Sequence, residues 1–587
     1  MAFQDFDLIQ QRRHEEKKQK FKQNLVVAFV ISVITILLLA AAVCFAIYKT
    51  NKNNHHNSVA ARNQAAPPPP PPPRPKSTQS VVKSVCANTD YKKTCEESIL
   101  KEVKTKDNAT ATPMDILRAS LVATSKVMDD ATKQAKGLQF ESPMKKSALN
   151  NCLVLLKDGK DEVNSSIVSV RGARVGRMKT AKAELDNWLS AVISYQQTCL
   201  DGFPEGAEKD KMKKILESVM IFGSNALSVV SQVSDVQTEV ETSNGSRRKL
   251  LGFGWANSNR YRRILKSNGP KFTPNVTVAK DKTGNFTTIN EALKAMPKKF
   301  RGRYIIYVKR GVYDETVVIA KEMENVTLYG DGSQKTIITG SKNFVDGVTT
   351  FETATFVAIG ARFMAQSLGF SNTAGPEKHQ AVALRVQSDR SIFVNCRIEG
   401  YKSTLYVQAH RQFYRNCYIT GTVDFIFGDA AAVFQNSMIY LRKPLESQQN
   451  VVTAQGRAER RETTGFVLQN CKILADEKLE PEKAKVKSFL GRPWKEYSRT
   501  IVMESEIGDV IQPEGWKEWN GDLGLKTLFY AEYNNKGAGA STKDRVKWGG
   551  YKPLKRDDVL KFTVGPFLQA EDWLKAADVP VHFGMFS

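Results

Sequence analysis

Phe393-Val394-Asn395-Cys396-Arg397-Ile398 returns three times downstream, as Tyr414-Arg415-Asn416-Cys417-Tyr418-Ile419, Phe434-Gln435-Asn436-Ser437-Met438-Ile439 and Leu468-Gln469-Asn470-Cys471-Lys472-Ile473. The shared pattern is an aromatic or apolar residue, a spacer, Asn, Cys or Ser, a spacer, and Ile. The first three Asn are 21 and 20 residues apart, and the fourth follows after 34. A β-rich period near 20 predicts a solenoid of stacked coils. Residues one period apart then become neighbours, about 5 Å apart across paired strands. Ser403 lies five residues after Ile398 and Asp424 five after Ile419, so the register sets Ser403 against Asp424. Asn395, Asn416, Asn436 and Asn470 read as a structural ladder whose amides bond coil to coil.

The β character extends from about residue 270 to 587. Val, Ile, Phe, Tyr and Thr dominate short runs such as Tyr304-Ile305-Ile306-Tyr307-Val308, punctuated by Gly and Asn. The expected architecture is all-β, a right-handed parallel β-helix, with a helix over Thr288 to Met296 capping its open end. Cys396 and Cys417 fall at equivalent places on adjacent coils. A disulfide between them and a pair of stacked free thiols are both open; Cys471 is expected to be free and buried.

Residues 81–235 read as helical. Pro113 to Lys136 and Lys182 to Cys199 carry apolar residues at three- and four-residue spacing. Thr112 before Pro113 suits an N-cap with proline at the first helical position. Cys86, Cys95, Cys152 and Cys199 lie in this region and allow three pairings. The short step from Cys86 to Cys95 suits a local staple, and Cys152 with Cys199 would tie distant helices together.

Upstream, Leu25 to Tyr48 is a run of 24 residues without a charge, long enough to span a bilayer. Six basic residues precede it (Arg12, Arg13, Lys17, Lys18, Lys20, Lys22), and only Lys49 and Lys52 closely follow. The positive-inside rule keeps 1–24 in the cytosol as a basic tail and exports the rest, making 25–48 a transmembrane signal anchor of type II. Cleavage near Ala46 stays open, since Cys44 and Ala46 are both small. The sequons Asn108, Asn164, Asn244, Asn275, Asn285 and Asn325 all follow the span, as do seven of the eight Cys. This agrees with a lumenal or extracellular body, where disulfides persist.

Two segments read as linkers. Residues 49–80 are polar and then proline-rich, with Pro67 to Pro73 unbroken, and suit a stiff stalk. Residues 236–269 are polar and basic and carry Arg247-Arg248-Lys249 and Arg262-Arg263. Dibasic sites between two folded regions suit a processing protease.

The chain has 587 residues and a net charge of +25. That balance favours a polyanionic partner: nucleic acid, anionic lipid or an acidic polysaccharide. The exported topology excludes nucleic acid.

Cys86-Ala87-Asn88-Thr89-Asp90-Tyr91-Lys92-Lys93-Thr94-Cys95, with Trp188-Leu189-Ser190-Ala191 and Tyr195 through Cys199, resembles the plant invertase and pectin methylesterase inhibitor family. That resemblance implies a four-helix bundle with an N-terminal hairpin and disulfides in sequence order. Downstream come Gly311-Val312-Tyr313-Asp314-Glu315, Gln380-Ala381-Val382-Ala383-Leu384, Tyr401-Lys402-Ser403-Thr404-Leu405-Tyr406, Gly421-Thr422-Val423-Asp424-Phe425-Ile426-Phe427-Gly428 and Leu490-Gly491-Arg492-Pro493-Trp494. These five ordered motifs, over roughly 272 to 575, resemble the pectinesterases (pectin methylesterases). The whole resembles the plant proenzyme type, a pectinesterase fused to an inhibitor-like pro-region.

The resemblance implies hydrolysis of the methyl esters of polygalacturonate without metal or cofactor. One Asp attacks the ester, and a second protonates the leaving methanol and then takes a proton from water. On the matching positions, Asp424 is the nucleophile, Arg492 orients it and keeps it ionised, and Gln380 donates to the oxyanion. Trp494, Thr350, Phe425 and Phe427 are expected to meet the sugar or line the cleft. His379 and His410 lie near these motifs, but no His cluster has metal-ligand spacing, and a structural or surface role is expected for each.

The departure is at 402 and 403, where the family pattern is Gln-Asp and this chain has Lys402-Ser403. Ser403 replaces the general acid/base and Lys402 the second oxyanion amide. A hydroxyl cannot act as a general acid near neutral pH, and losing a positioned acid costs about 10²–10⁴ in rate. Lys402 could compensate by stabilising the oxyanion, or by shuttling a proton if burial lowers its pKa. The leading reading is a wall-modifying pectinesterase, secreted to the cell wall from a membrane-anchored proenzyme. Its alternatives are a weak or inactive pectin-binding protein, and a regulator whose helical domain inhibits other pectinesterases or its own partner domain. A pectate lyase would need a calcium-binding carboxylate cluster that the sequence does not offer.

Overall fold

Every strand pairing downstream of residue 272 is parallel and joins one coil to the next. In the computed structural model, residues 77–103, 110–172, 178–243 and 272–586 are described. The basic tail 1–24, the anchor 25–48, nearly all of the proline-rich linker, Asn108, Asn244, and the dibasic pairs Arg247-Arg248 and Arg262-Arg263 lie outside them.

The strands form three sheets of 11, 7 and 8 members, stacked in chain order as a parallel solenoid. The repeated hexapeptide sets the register. Ile398, Ile419, Ile439 and Ile473 align in one inward row. Phe393, Tyr414 and Phe434 form another, with rings stacked at 4.8 and 4.7 Å. At each intervening corner an Asn holds a left-handed backbone, with φ between 53° and 55°, a region that Asn tolerates better than most residues. The predicted ladder is present: Asn416 Nδ2 donates to Asn395 Oδ1 at 3.2 Å, Asn436 to Asn416 at 2.7 Å and Asn470 to Asn436 at 3.0 Å. The longer step to Asn470 is absorbed in loops at 442–449 and 456–464, so the stacked rows are not displaced.

Cys396, Cys417 and Cys471 are free and buried. Of the two states open for Cys396 and Cys417, the structure holds the thiols. Stacking aligns the two side chains, and each sulfur turns to backbone carbonyls, Cys396 toward Val394 and Cys417 toward Arg415 and Phe393. Burial pushes the Cys417 thiol well up from its ordinary value.

The helical region contains α1 (Thr78–Cys86), α2 (Lys92–Glu102), α3 (Pro113–Lys136), α4 (Pro143–Gly172), α5 (Met178–Asp201) and α6 (Ala207–Ser243). α3 packs on α4 and α6, and α5 packs on the same two. Thr112 caps α3 in a full capping box with Asp115, and Pro113 opens the helix. Helix α6 runs past residue 236, where the basic linker was expected to begin, because no Gly or Pro occurs between residue 236 and Gly245. Cys86 pairs with Cys95 and Cys152 with Cys199, the sequence-order option among the three. A short helix α7 (Ile289–Lys294), capped by Thr288 and Glu291, packs at the first coils of the solenoid.

Both regions belong to one compact unit, Pro75–Ser587, and α4, α5 and α6 lie against one side of the solenoid. Lys321 pairs with Asp158 at 3.0 Å, Arg411 with Glu184 at 2.8 Å and Lys495 with Asp201 at 2.7 Å. Loop 456–464 adds Arg461–Asp90 at 2.7 Å and Ser224 Oγ donating to Glu459 at 3.2 Å.

Candidate active site

The seven-stranded sheet carries the predicted residues on consecutive coils. Leu384, Leu405 and Ile426 are in register, and Gln380 bridges Lys402. Ser403 N–H donates to Val423 O at 3.1 Å. Ser403 therefore stacks on Asp424 at one turn of adjacent coils. Both are left-handed, at φ +62° and +50°, and non-glycine residues held there often mark functional sites.

Arg492 comes from two coils further on, in register with Ala454, itself paired with Phe427. Its Nε donates to Asp424 Oδ1 at 2.8 Å and its Nη2 to Oδ2 at 2.6 Å. This two-point pair fixes the carboxylate's orientation. Gly491 permits the close approach: a Cβ there would fall 2.1 Å from Thr453 Oγ1. The Trp519 ring lies over the guanidinium at 4.2 Å and 6.4 Å from Trp494. Phe427 stacks on Tyr406 at 4.3 Å.

Gln380, Lys402, Ser403, Asp424, Phe427, Arg492, Trp494 and Thr350 line a single cavity of about 810 Å³. Phe425 does not. It is fully buried in the solenoid core, because the residue after an outward Asp424 points inward. Trp519 escaped sequence reading; its signal was an aromatic about one coil beyond Arg492-Pro493-Trp494. Burial pushes the Lys402 amine below its usual value; Asp424 opposes this, and the Arg492 charge adds to it. No group of three or more potential metal ligands occurs among the described residues.

The helical region closes this cavity. Gln197, Thr198 and Asp201 at the end of α5, with Phe203 just beyond, line its other wall. Thr198 Oγ1 is 3.1 Å from Tyr406 Oη, and Ser194 Oγ donates to Gln408 O at 2.7 Å. His410, expected to be structural or superficial, is buried at this contact. Its Nε2 is 2.9 Å from Tyr195 Oη and 3.4 Å from Glu162 Oε1, and its Nδ1 is 3.1 Å from the Asn187 amide. Of the sequons, Asn164, Asn275 and Asn285 are exposed, and Asn325 is half-buried.

The parallel solenoid thus carries a guanidinium-clamped aspartate in a tryptophan-edged cleft. Residues 275–571 match the pectinesterase family model, and residues 80–229 match that of plant invertase/pectin methylesterase inhibitors. The chain belongs to the pectinesterase family. It is 48% identical to putative pectinesterase/pectinesterase inhibitor 45 of Arabidopsis thaliana, over 86% of this chain and 84% of that one. It is also 48% identical to probable pectinesterase/pectinesterase inhibitor 13 of the same plant, over 87% and 83%. Among solved structures, pectin methylesterase from carrot is 49% identical, with a TM-score of 0.53, over 54% of this chain and 99% of its own. The carrot chain thus matches over a length close to that of the solenoid alone.

Proposed function

We propose that the chain hydrolyses the methyl esters of pectin, releasing methanol and pectate at the plant cell wall. The observation that carries this is the two-point Arg492–Asp424 pair inside the cleft. Asp424 adds to the ester carbonyl while Arg492 holds it aimed, and Gln380 donates to the oxyanion beside Lys402. Trp494, Phe427 and Thr350 form walls for the sugar chain. No metal or cofactor takes part.

The helical domain, read as a four-helix inhibitor bundle, keeps the enzyme silent in a membrane-anchored, glycosylated precursor. Its share in lining the cavity, through Gln197, Thr198, Asp201 and Phe203, supports that role. Cleavage at Arg247-Arg248 or Arg262-Arg263 by a processing protease would release a right-handed β-helix enzyme to the wall, where its positive charge favours retention on pectate.

A second reading is favoured by Ser403, which stands where the family has its general acid. Here the cleft binds pectin with little turnover, or the helical domain acts on other pectinesterases. Methanol release from highly methylated pectin by residues 272–587 separates the two. Turnover abolished by Asp424→Asn supports the enzyme. A silent native domain revived by Lys402→Gln/Ser403→Asp supports the binding protein.

A further inference from the structure

We propose that Lys402 moves the proton in this reaction: its ammonium protonates the departing methoxide, and its free amine then takes a proton from the attacking water. The inference rests on reading Asp424 as the nucleophile.

Position comes first. Lys402 bridges Gln380 on one side, and its neighbour Ser403 bonds to the residue before Asp424 on the other. It thus sits on the coil between the oxyanion donor and the nucleophile, and it lines their cavity.

The alternatives within the solenoid's part of the cavity are already engaged or unsuited. Arg492 directs its Nε and Nη2 to Asp424. Lys495 pairs with Asp201. The Tyr406 hydroxyl meets Thr198, and burial pushes its pKa up. Ser403 has a hydroxyl of far too high a pKa, and Glu496 is exposed. Lys402 is half-buried. Among the described residues it has no carboxylate within ion-pairing distance, because both oxygens of Asp424 are held by Arg492. Burial, joined by the Arg492 charge and opposed by Asp424, makes this ammonium release its proton more readily than one in water.

The steps balance. Asp424 forms a C–O bond to the ester carbonyl carbon, and the carbonyl pair moves onto oxygen. Collapse breaks the C–OCH₃ bond as one Lys402 N–H proton passes to the methoxide, releasing methanol and leaving a neutral amine. Water then attacks the acyl carbon of the mixed anhydride while its proton passes to Lys402 Nζ. The Asp424 carboxylate departs and the ammonium is restored. The sum is ester plus water giving methanol plus uronic acid.

The test is the pH dependence of kcat and kcat/KM for methanol release by residues 272–587, with Asp424→Asn, Lys402→Gln, Lys402→Arg and Lys402→Gln/Ser403→Asp alongside. Lys402→Gln is expected to lose about 10²–10⁴ in kcat. Lys402→Arg, which keeps the charge but does not deprotonate near neutral pH, is expected to stay equally low. The double variant recovers through Asp at 403, which also establishes that a chain with Gln at 402 folds. The native alkaline limb should lie below the ordinary lysine value of about 10.4 and disappear in the double variant. A Lys402→Gln rate within about threefold of native overturns the proposal, as does full rescue by Arg, and both leave the Asp424 reading standing if Asp424→Asn is inactive. A native domain silent at every pH beside an active double variant also overturns it. If neither releases methanol, the hydrolytic reading falls with it.

Discussion

Tyr195 of α5 reaches across to His410 of the solenoid, its hydroxyl 2.9 Å from Nε2. The buried imidazole also faces Glu162 on α4, and Asp389 and Arg411 on its own side. Burial lowers its pKa, but Glu162 and Asp389 together outweigh burial and the Arg411 charge, so the net direction is upward. A docked pKa above the free value favours docking most below the ordinary histidine value of about 6.5. That contribution is lost as pH rises through the docked pKa. Protection factors of α5 amides in the full chain, with the intrinsic pH dependence of exchange divided out, should be larger at acidic than at mildly alkaline pH. His410→Gln should remove this difference; an unchanged difference counts against the histidine.

Arg492 holds Asp424 by two donors, and lysine can supply only one point charge. In residues 272–587, Arg492→Lys should lower kcat by tenfold or more with KM changed by less than about threefold if, as proposed, Asp424 is the nucleophile and the lost contact acts on it rather than on sugar binding. Steady-state methanol release checks this. A change confined to KM would assign Arg492 to substrate.

Asn436 joins two rungs of the ladder, donating to Asn416 and accepting from Asn470. Asn436→Ala removes both bonds, at about 0.5–1.5 kcal/mol each, and puts a Cβ-bearing residue at φ +55° without the local bonding that eases Asn there. Asn436→Gly relieves the backbone term alone. The expected order of melting temperature is native, Gly, then Ala, and equal losses would mean that backbone conformation plays no part.

Asp429 and Glu462 are buried side by side. Burial pushes Asp429 up to about 6, with Gln455 and Thr464 donating to its Oδ1 in opposition. A carboxyl harder to ionise in the fold than in the unfolded chain weakens the fold as pH rises from about 4 to 6. Asp429→Asn should therefore raise the melting temperature at pH 7, by an amount that shrinks toward pH 4. A gain independent of pH would point instead to altered hydrogen bonding.

The solenoid and most of its site were legible because a repeat converts sequence distance into spatial adjacency. One hexapeptide fixed which coil carries Ser403 and which carries Asp424, and the Asn ladder followed from it. Phe425 was misread because the cleft motif runs through a corner where successive side chains point opposite ways. Cys396 and Cys417 share a register position, yet side-chain direction within the stack decides bonding. Trp519 and His410 sit in loops or corners whose partners come from other elements. The docking of α4, α5 and α6 depends on matching two surfaces with no common period, so neither sequence alone announces it.

Loop 456–464 accounts for much of the 34-residue step and carries Glu459, Arg460 and Arg461 to the helical domain. Because the coils above and below keep their rungs, this arm is free to vary in length and charge without moving Asp424 or Arg492. Docking of the helical domain and chemistry in the cleft can thus diverge independently.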